Sequence, residues 1–128
     1  MINQTILNSP EFFKTAYSSA YPFPYIVIDN FLHKEVVRKI VSELKSYQHW
    51  SQDTTETVKD YQVNKFYTPD VFDLQTLEYL QRDCPITKFT LDYLNDSTTL
   101  KFLEKLTGIS ELSGDETFLG GGVHRVTT

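Results

Sequence analysis

Apolar and polar positions along this chain change period several times, and each change marks an element. The clearest stretch is 33–47, where Val36, Val37, Ile40, Val41 and Leu44 recur at helical spacing with charges on the opposite side. That pattern predicts an amphipathic helix. Before it, Tyr25-Ile26-Val27-Ile28 is a short β-branched run closed by Asp29-Asn30, which predicts a buried strand. The preceding Tyr21-Pro22-Phe23-Pro24 is extended, because each proline keeps its predecessor out of the helical region. Ser9-Pro10 ahead of Glu11-Phe12-Phe13 marks a helix start with proline in the first turn, and that helix is expected to end near Ser18-Ser19.

The second half reads differently. Residues 49–59 are polar and threonine-rich, the pattern of a loop that can open on a strand. Residues 61–67 alternate, with Tyr61, Val63 and Lys65 set against Gln62 and Asn64, and predict a strand broken by Thr68-Pro69-Asp70. Three helices are expected next. One turns Leu74, Leu77 and Leu80 inward; one begins after Pro85 and turns Ile86, Phe89, Tyr93 and Leu94 inward; one begins after Asp96-Ser97 with Leu100, Leu103 and Leu106 inward and Gly108 as its left-handed terminator. Ser113-Gly114-Asp115 reads as a turn, and a glycine-rich approach then leads into a strand over Val123-His124-Arg125-Val126. Strands cannot satisfy their ladders alone, so this last one needs a partner inside the chain or beyond it. No phosphate-binding glycine loop follows the first strand and the helices cluster late, so the expected class is α+β rather than a doubly wound sheet.

Length and composition narrow the picture. The 128 residues suit a single domain, and the hydrophobic fraction of 40% with 14% aromatics suits a packed core or a ligand groove. The net charge of −5, with Lys34, Arg38, Lys39 and Lys45 interleaved with Glu35 and Glu43, argues against nucleic acid as a partner. No apolar run reaches membrane-spanning length and the start lacks a signal-peptide pattern, so a cytoplasmic protein is expected. A single cysteine, Cys84, rules out an intrachain disulfide and a cysteine-based zinc site. Cys84 has no base beside it in sequence and is not read as a nucleophile.

Three histidines remain: His33, His49 and His124. A mononuclear iron site takes two histidines and a carboxylate, with His-x-Asp or His-x-Glu as its usual signature. His33-Lys34-Glu35 matches in letters only. At the start of a helix its two side chains point about 200° apart and cannot converge on one metal. Trp50 beside His49 is read first as packing at a helix end. His124 and Arg125 follow three glycines that let backbone approach closely. Trp50, His124 and Arg125 are therefore the candidate pocket-lining residues, and no catalytic, cofactor-binding or metal residue is assigned.

Three segments taken in order resemble a known family. Pro24-Tyr25-Ile26-Val27-Ile28-Asp29-Asn30-Phe31-Leu32, then Phe102-Leu103-Glu104-Lys105-Leu106-Thr107-Gly108-Ile109, then Gly120-Gly121-Gly122-Val123-His124 resemble the N-terminal part of iron(II)- and 2-oxoglutarate-dependent oxygenases of the prolyl-hydroxylase-like group. The likeness covers roughly residues 21–128. It implies a double-stranded β-helix, or jelly roll, with flanking helices, of which this chain holds the helical N-terminal region and the first strands. It also implies Fe(II), 2-oxoglutarate and O2 as the full-length protein's cofactors and co-substrate, and a small molecule or protein side chain as the hydroxylated substrate. In that family His-x-Asp follows the glycine turn after such a strand, and the second histidine and the basic 2-oxoglutarate anchor come later. None of those positions occurs here. The expectation is an N-terminal fragment of a dioxygenase, inactive as written, with neither cofactor bound tightly by this chain. The competing expectation is a complete, non-catalytic binding or assembly module whose terminal strand pairs with a partner or with a second copy.

Overall fold

A side-chain cap or a first-turn proline sets where four of the helices begin. The structure is a computed structural model and describes residues 1–52, 65–67, 74–115 and 122–126. Its first helix, α1 (Gln4–Leu7), is capped by the Asn3 side chain, which accepts a hydrogen bond from the Thr5 N–H at 3.1 Å. Helix α2 (Pro10–Ser19) starts on its proline, and α3 (Lys34–Ser46) covers the amphipathic stretch read from sequence. Three further helices follow: α4 (Leu74–Asp83), α5 (Pro85–Leu94) and α6 (Ser97–Thr107). Asp96 accepts from the N–H groups of Thr98 and Thr99 to open α6, and Gly108 closes it at φ +78°, a conformation that costs glycine least.

Strand content is small. Ser51–Gln52 (β1), Lys65–Tyr67 (β2) and His124–Val126 (β3) form an antiparallel sheet in the order β1-β2-β3, with Ser51 opposite Tyr67 and Phe66 opposite Arg125. Helix thus dominates an α+β arrangement among the described residues. The remainder of the loop expected at 49–59, the expected strand positions 61–64 and the Gly120-Gly121 approach lie outside them.

Two expectations are corrected. The run Tyr25-Ile26-Val27-Ile28 is not a ladder strand. Its side chains alternate as an extended chain does, with Ile26 and Ile28 packed inward and Tyr25 and Val27 51% and 79% exposed. No described segment lies alongside to pair with it. The chain start pairs just beyond instead: Ile2 bridges Leu32, the Asn3 N–H donates to Phe31 O at 2.8 Å, and the His33 N–H donates to Met1 O at 3.1 Å. The second correction concerns α5. Its buried positions are Thr87 and Thr90, while Phe89 is 56% exposed and Leu94 also faces outward. Hydropathy misses this because both hydroxyls are satisfied internally, Thr87 Oγ1 donating to Glu43 Oε2 at 2.7 Å and Thr90 Oγ1 to Ile86 O at 2.7 Å.

Two small cores result. Ile6, Phe102 and Leu106 form one, joined by Phe13, Tyr17, Ile26, Ile28 and Phe31, so that α2 lies against α6. Tyr47, Leu80 and Cys84 form the other, with Leu44, Trp50 and Tyr79 around them. Helix α5 touches α3, α4 and α6, and so connects the two.

Candidate binding cleft between α3 and β3

The cleft begins with the stripe on α3. None of that helix's residues is fully buried, and Val37 and Val41 stand 42% and 45% exposed, so part of the stripe has no cover among the described residues. Where α3 ends, the chain turns through Tyr47 into Trp50. The Trp50 indole N–H donates to Tyr47 O at 2.9 Å, and its ring meets the Tyr47 ring edge-on at 5.2 Å. Those two contacts fix the indole at the foot of the helix, as a residue closing a helix end does. Its face is used as well. The Arg125 guanidinium of β3 lies over it, 4.9 Å from the ring centre.

Trp50, His124 and Arg125, the three pocket residues named from sequence, therefore line one cleft of about 360 Å³ together with Val41, Leu44, Lys45 and Val123. That volume falls within the range of small-molecule sites. Its floor is apolar and its rim carries two permanent cations, Lys45 and Arg125.

The other histidines go elsewhere. His33 precedes α3 as its N-terminal flanking residue without capping it through the side chain, and Glu35 pairs with Arg38 on the exposed surface, so His33-Lys34-Glu35 is a helix start. His49 stacks on Tyr79, ring centres 3.8 Å apart and nearly parallel, with its Nε2 3.5 Å from Asp83 Oδ2. The Arg82 guanidinium sits over the same Tyr79 ring and hydrogen-bonds Asp83, holding that carboxyl below the usual range. Among the described residues no group of three or more His, Cys, Asp or Glu side chains converges to hold a metal ion.

Sequence reasoning missed the polar joint under α5. Glu43 accepts from the N–H groups of Ile86 and Thr87 at 2.9 and 2.8 Å and from the Thr87 hydroxyl. It thereby caps a helix whose own N-terminal residue, Cys84, offers no side-chain cap. The signal was available: a helix starting at Cys84-Pro85 leaves N–H donors that a local Ser, Thr, Asp or Asn does not serve, so an acceptor is needed from another element. Beside this joint Cys84 is fully buried. Desolvation first, then Glu43 and Asp83, push its thiol up to about 11, so it stays protonated at neutral pH. Burial likewise pushes Tyr47 up to about 12, and its buried hydroxyl has no hydrogen-bond partner among the described residues.

Comparison of the chain with known protein families, with curated proteins and with solved structures returns no match. No helix among the described residues is long and apolar enough to cross a membrane.

Proposed function

We propose that this chain is the helical front part of an iron(II)- and 2-oxoglutarate-dependent oxygenase domain, with α3 backing the first strands of a jelly roll and the α3/β3 cleft turned toward the substrate. The observation that carries the reading is the convergence of Trp50, His124 and Arg125 at that cleft, with the Arg125 guanidinium over the Trp50 ring. The ordered resemblance of residues 24–32, 102–109 and 120–124 to that family supports the same assignment.

The iron does not fit the residues in hand. His33 opens α3, His49 is stacked on Tyr79 and His124 lines the cleft, and no convergent donor set is present among the described residues. No catalytic step is therefore assigned to this chain. Its own contribution is to support the sheet and to offer a surface, apolar at Trp50 and Val41 and cationic at Lys45 and Arg125, on which a small molecule or a protein side chain is oriented.

The test is the reading frame downstream of codon 128. The proposal expects a glycine-containing turn, His-x-Asp, and later a histidine and a basic residue. A frame without them overturns it. Anaerobic titration of the chain with Fe(II) and 2-oxoglutarate is expected to give no stoichiometric charge-transfer absorption. A stoichiometric band would restore His33, His49 and His124 as ligands.

One observation favours a second reading, a non-catalytic module that pairs through its terminal strand. Strand β3 is the outer strand in the order β1-β2-β3, its residues are exposed, and Val126 is 74% accessible.

A further inference from the structure

We propose that the groove between α1 and α6 is a phosphate-binding site, for the free ion or for the phosphoryl group of a small ester. The proposal stands apart from the oxygenase reading and uses none of the α3/β3 cleft residues. Three observations carry it.

The first is the shape that the two helices give the groove. On α6, Thr98, Lys101, Phe102 and Lys105 recur at i, i+3, i+4 and i+7, which sets them on one face. Across from them stand Gln4 and Leu7 of α1 and its C-terminal cap, Asn8. Leu7 and Phe102 belong to one core cluster and give the hollow an apolar floor, and the polar residues rim it. Its volume is about 230 Å³. That lies below the range of drug-sized sites, so the occupant is small.

The second is charge. Lys101 and Lys105 are one turn apart on α6, a spacing at which like charges repel. Neither has an ion pair among the described residues, and no described acidic side chain lines the groove. The acids nearest in sequence are engaged elsewhere. Asp96 accepts from the N–H groups of Thr98 and Thr99, and Glu104 accepts from the Leu112 N–H at 2.9 Å. In a chain of net charge −5 this hollow is a local reversal of sign. An anion held beside both ammonium groups offsets their repulsion.

The third is the donor set. The side-chain amides of Gln4 and Asn8 and the hydroxyls of Ser97 and Thr98 also line the groove, and none has a hydrogen-bond partner among the described residues. They can turn to a ligand without breaking a contact within the protein. Each amide offers two donors, each hydroxyl one and each ammonium three. A carboxylate has only two oxygens to receive them. A phosphate monoester presents three strong acceptor oxygens and nearly two negative charges, which matches two lysines ringed by neutral donors. The first-turn N–H groups that Asp96 occupies are not part of the site, so side chains make it.

Amide proton–nitrogen correlation spectra test this, recorded as the chain is titrated with inorganic phosphate and, separately, with glycerol 3-phosphate at constant ionic strength. Saturable shifts are expected at the amides of 4–8 and 97–105, with a dissociation constant on the order of 1 mM. Acetate is expected to bind at least about tenfold more weakly. Tighter binding of the ester assigns the site to an organic phosphate; equal or weaker binding assigns it to the free ion. Lys101→Gln/Lys105→Gln is expected to weaken phosphate binding about tenfold or more. Lys14→Gln/Lys39→Gln removes as many charges outside the groove and is expected to leave binding unchanged. All four lysines are exposed, so both double variants keep the parent's circular dichroism. An absence of saturable shifts at these amides, acetate bound as tightly as phosphate, a groove variant that binds like the parent, or equal weakening by the two double variants overturns the proposal.

Discussion

Tyr47 and Cys84 are the side chains whose acid–base chemistry the fold alters most among the described residues, and both change in the same direction. The ordinary values are 10.0 for the phenol and 9.0 for the thiol, and burial raises them to about 12 and about 11. The folded state then holds protons that the unfolded state releases, so stability falls as pH rises wherever the two differ. Below about pH 9 both groups are protonated in either state and contribute no pH dependence. From there to about pH 12 the unfolded state is progressively favoured. Urea denaturation at steps of pH through this window is expected to show a declining stability limb. Cys84→Ala is expected to flatten its lower part and Tyr47→Phe its upper part, and unchanged slopes in both variants would refute the assignment. Tyr47→Phe is also expected to leave stability at neutral pH unchanged or raise it by about 1 kcal/mol, because the removed hydroxyl is buried without a partner among the described residues. Sequence marked Cys84 as unreactive from its lack of a neighbouring base. The burial that keeps it protonated depends on Leu80 and Tyr47, contacts that only the folded chain creates.

Among the elements, legibility follows locality. Helix α3 is readable from its period, the starts of α2 and α5 from their first-turn prolines, and α6 from Asp96 and Gly108, each a signal contained within a few residues. The Tyr25-Ile28 run misleads for the opposite reason: β-branched composition reports a tendency to extend, whereas a ladder needs a second segment that composition does not supply. The inward face of α5 misleads because a threonine counts as polar in any local pattern until its hydroxyl partner is known. The 113–115 segment lies between these cases. The turn expected there does not form; the segment is irregular and a tertiary latch holds it. Asn95 Nδ2 donates to Asp115 O at 2.7 Å, and the Asp115 N–H donates back to Asn95 Oδ1 at 2.9 Å. Gly114 is needed there for space, since a Cβ at that position would sit 2.6 Å from the Asn95 carbonyl oxygen. Gly114→Ala is therefore expected to lower stability by about 1–3 kcal/mol, the usual penalty of overpacking. The exposed Ser113→Ala should have little effect. Thermal unfolding of the two variants side by side checks the contrast, and equal midpoints would mean that the latch does not constrain the chain.

At the scale of the whole molecule, the two small cores behave as one unit only if something joins them, and the joint is polar. Leu80, Cys84 and Tyr47 form one cluster and Phe102 and Leu106 belong to the other, and α5 contacts α3 and α4 as well as α6. Between them Glu43 reaches from α3 to the start of α5, and Thr90 donates to Ile86 O and lies 3.2 Å from Met1 Sδ. A carboxylate that caps a helix of a different element couples the opening of one to the opening of the other. If α3 moves away, the N-terminal donors of α5 lose their acceptor and the half-buried carboxylate loses its hydrogen bonds. Glu43→Ala is expected to cost about 1–2 kcal/mol overall, in line with removal of a strong helix cap. Its more specific consequence is uneven. Amide hydrogen exchange should accelerate in α3, α4 and the first turn of α5, while α2 and α6, packed on Phe102 and Leu106, keep their protection. Glu43→Gln retains one acceptor oxygen and should fall between the parent and the alanine variant. A uniform loss of protection across α2 to α6 would show instead that the two cores open together and that hydrophobic contact, not the Glu43 cap, joins them.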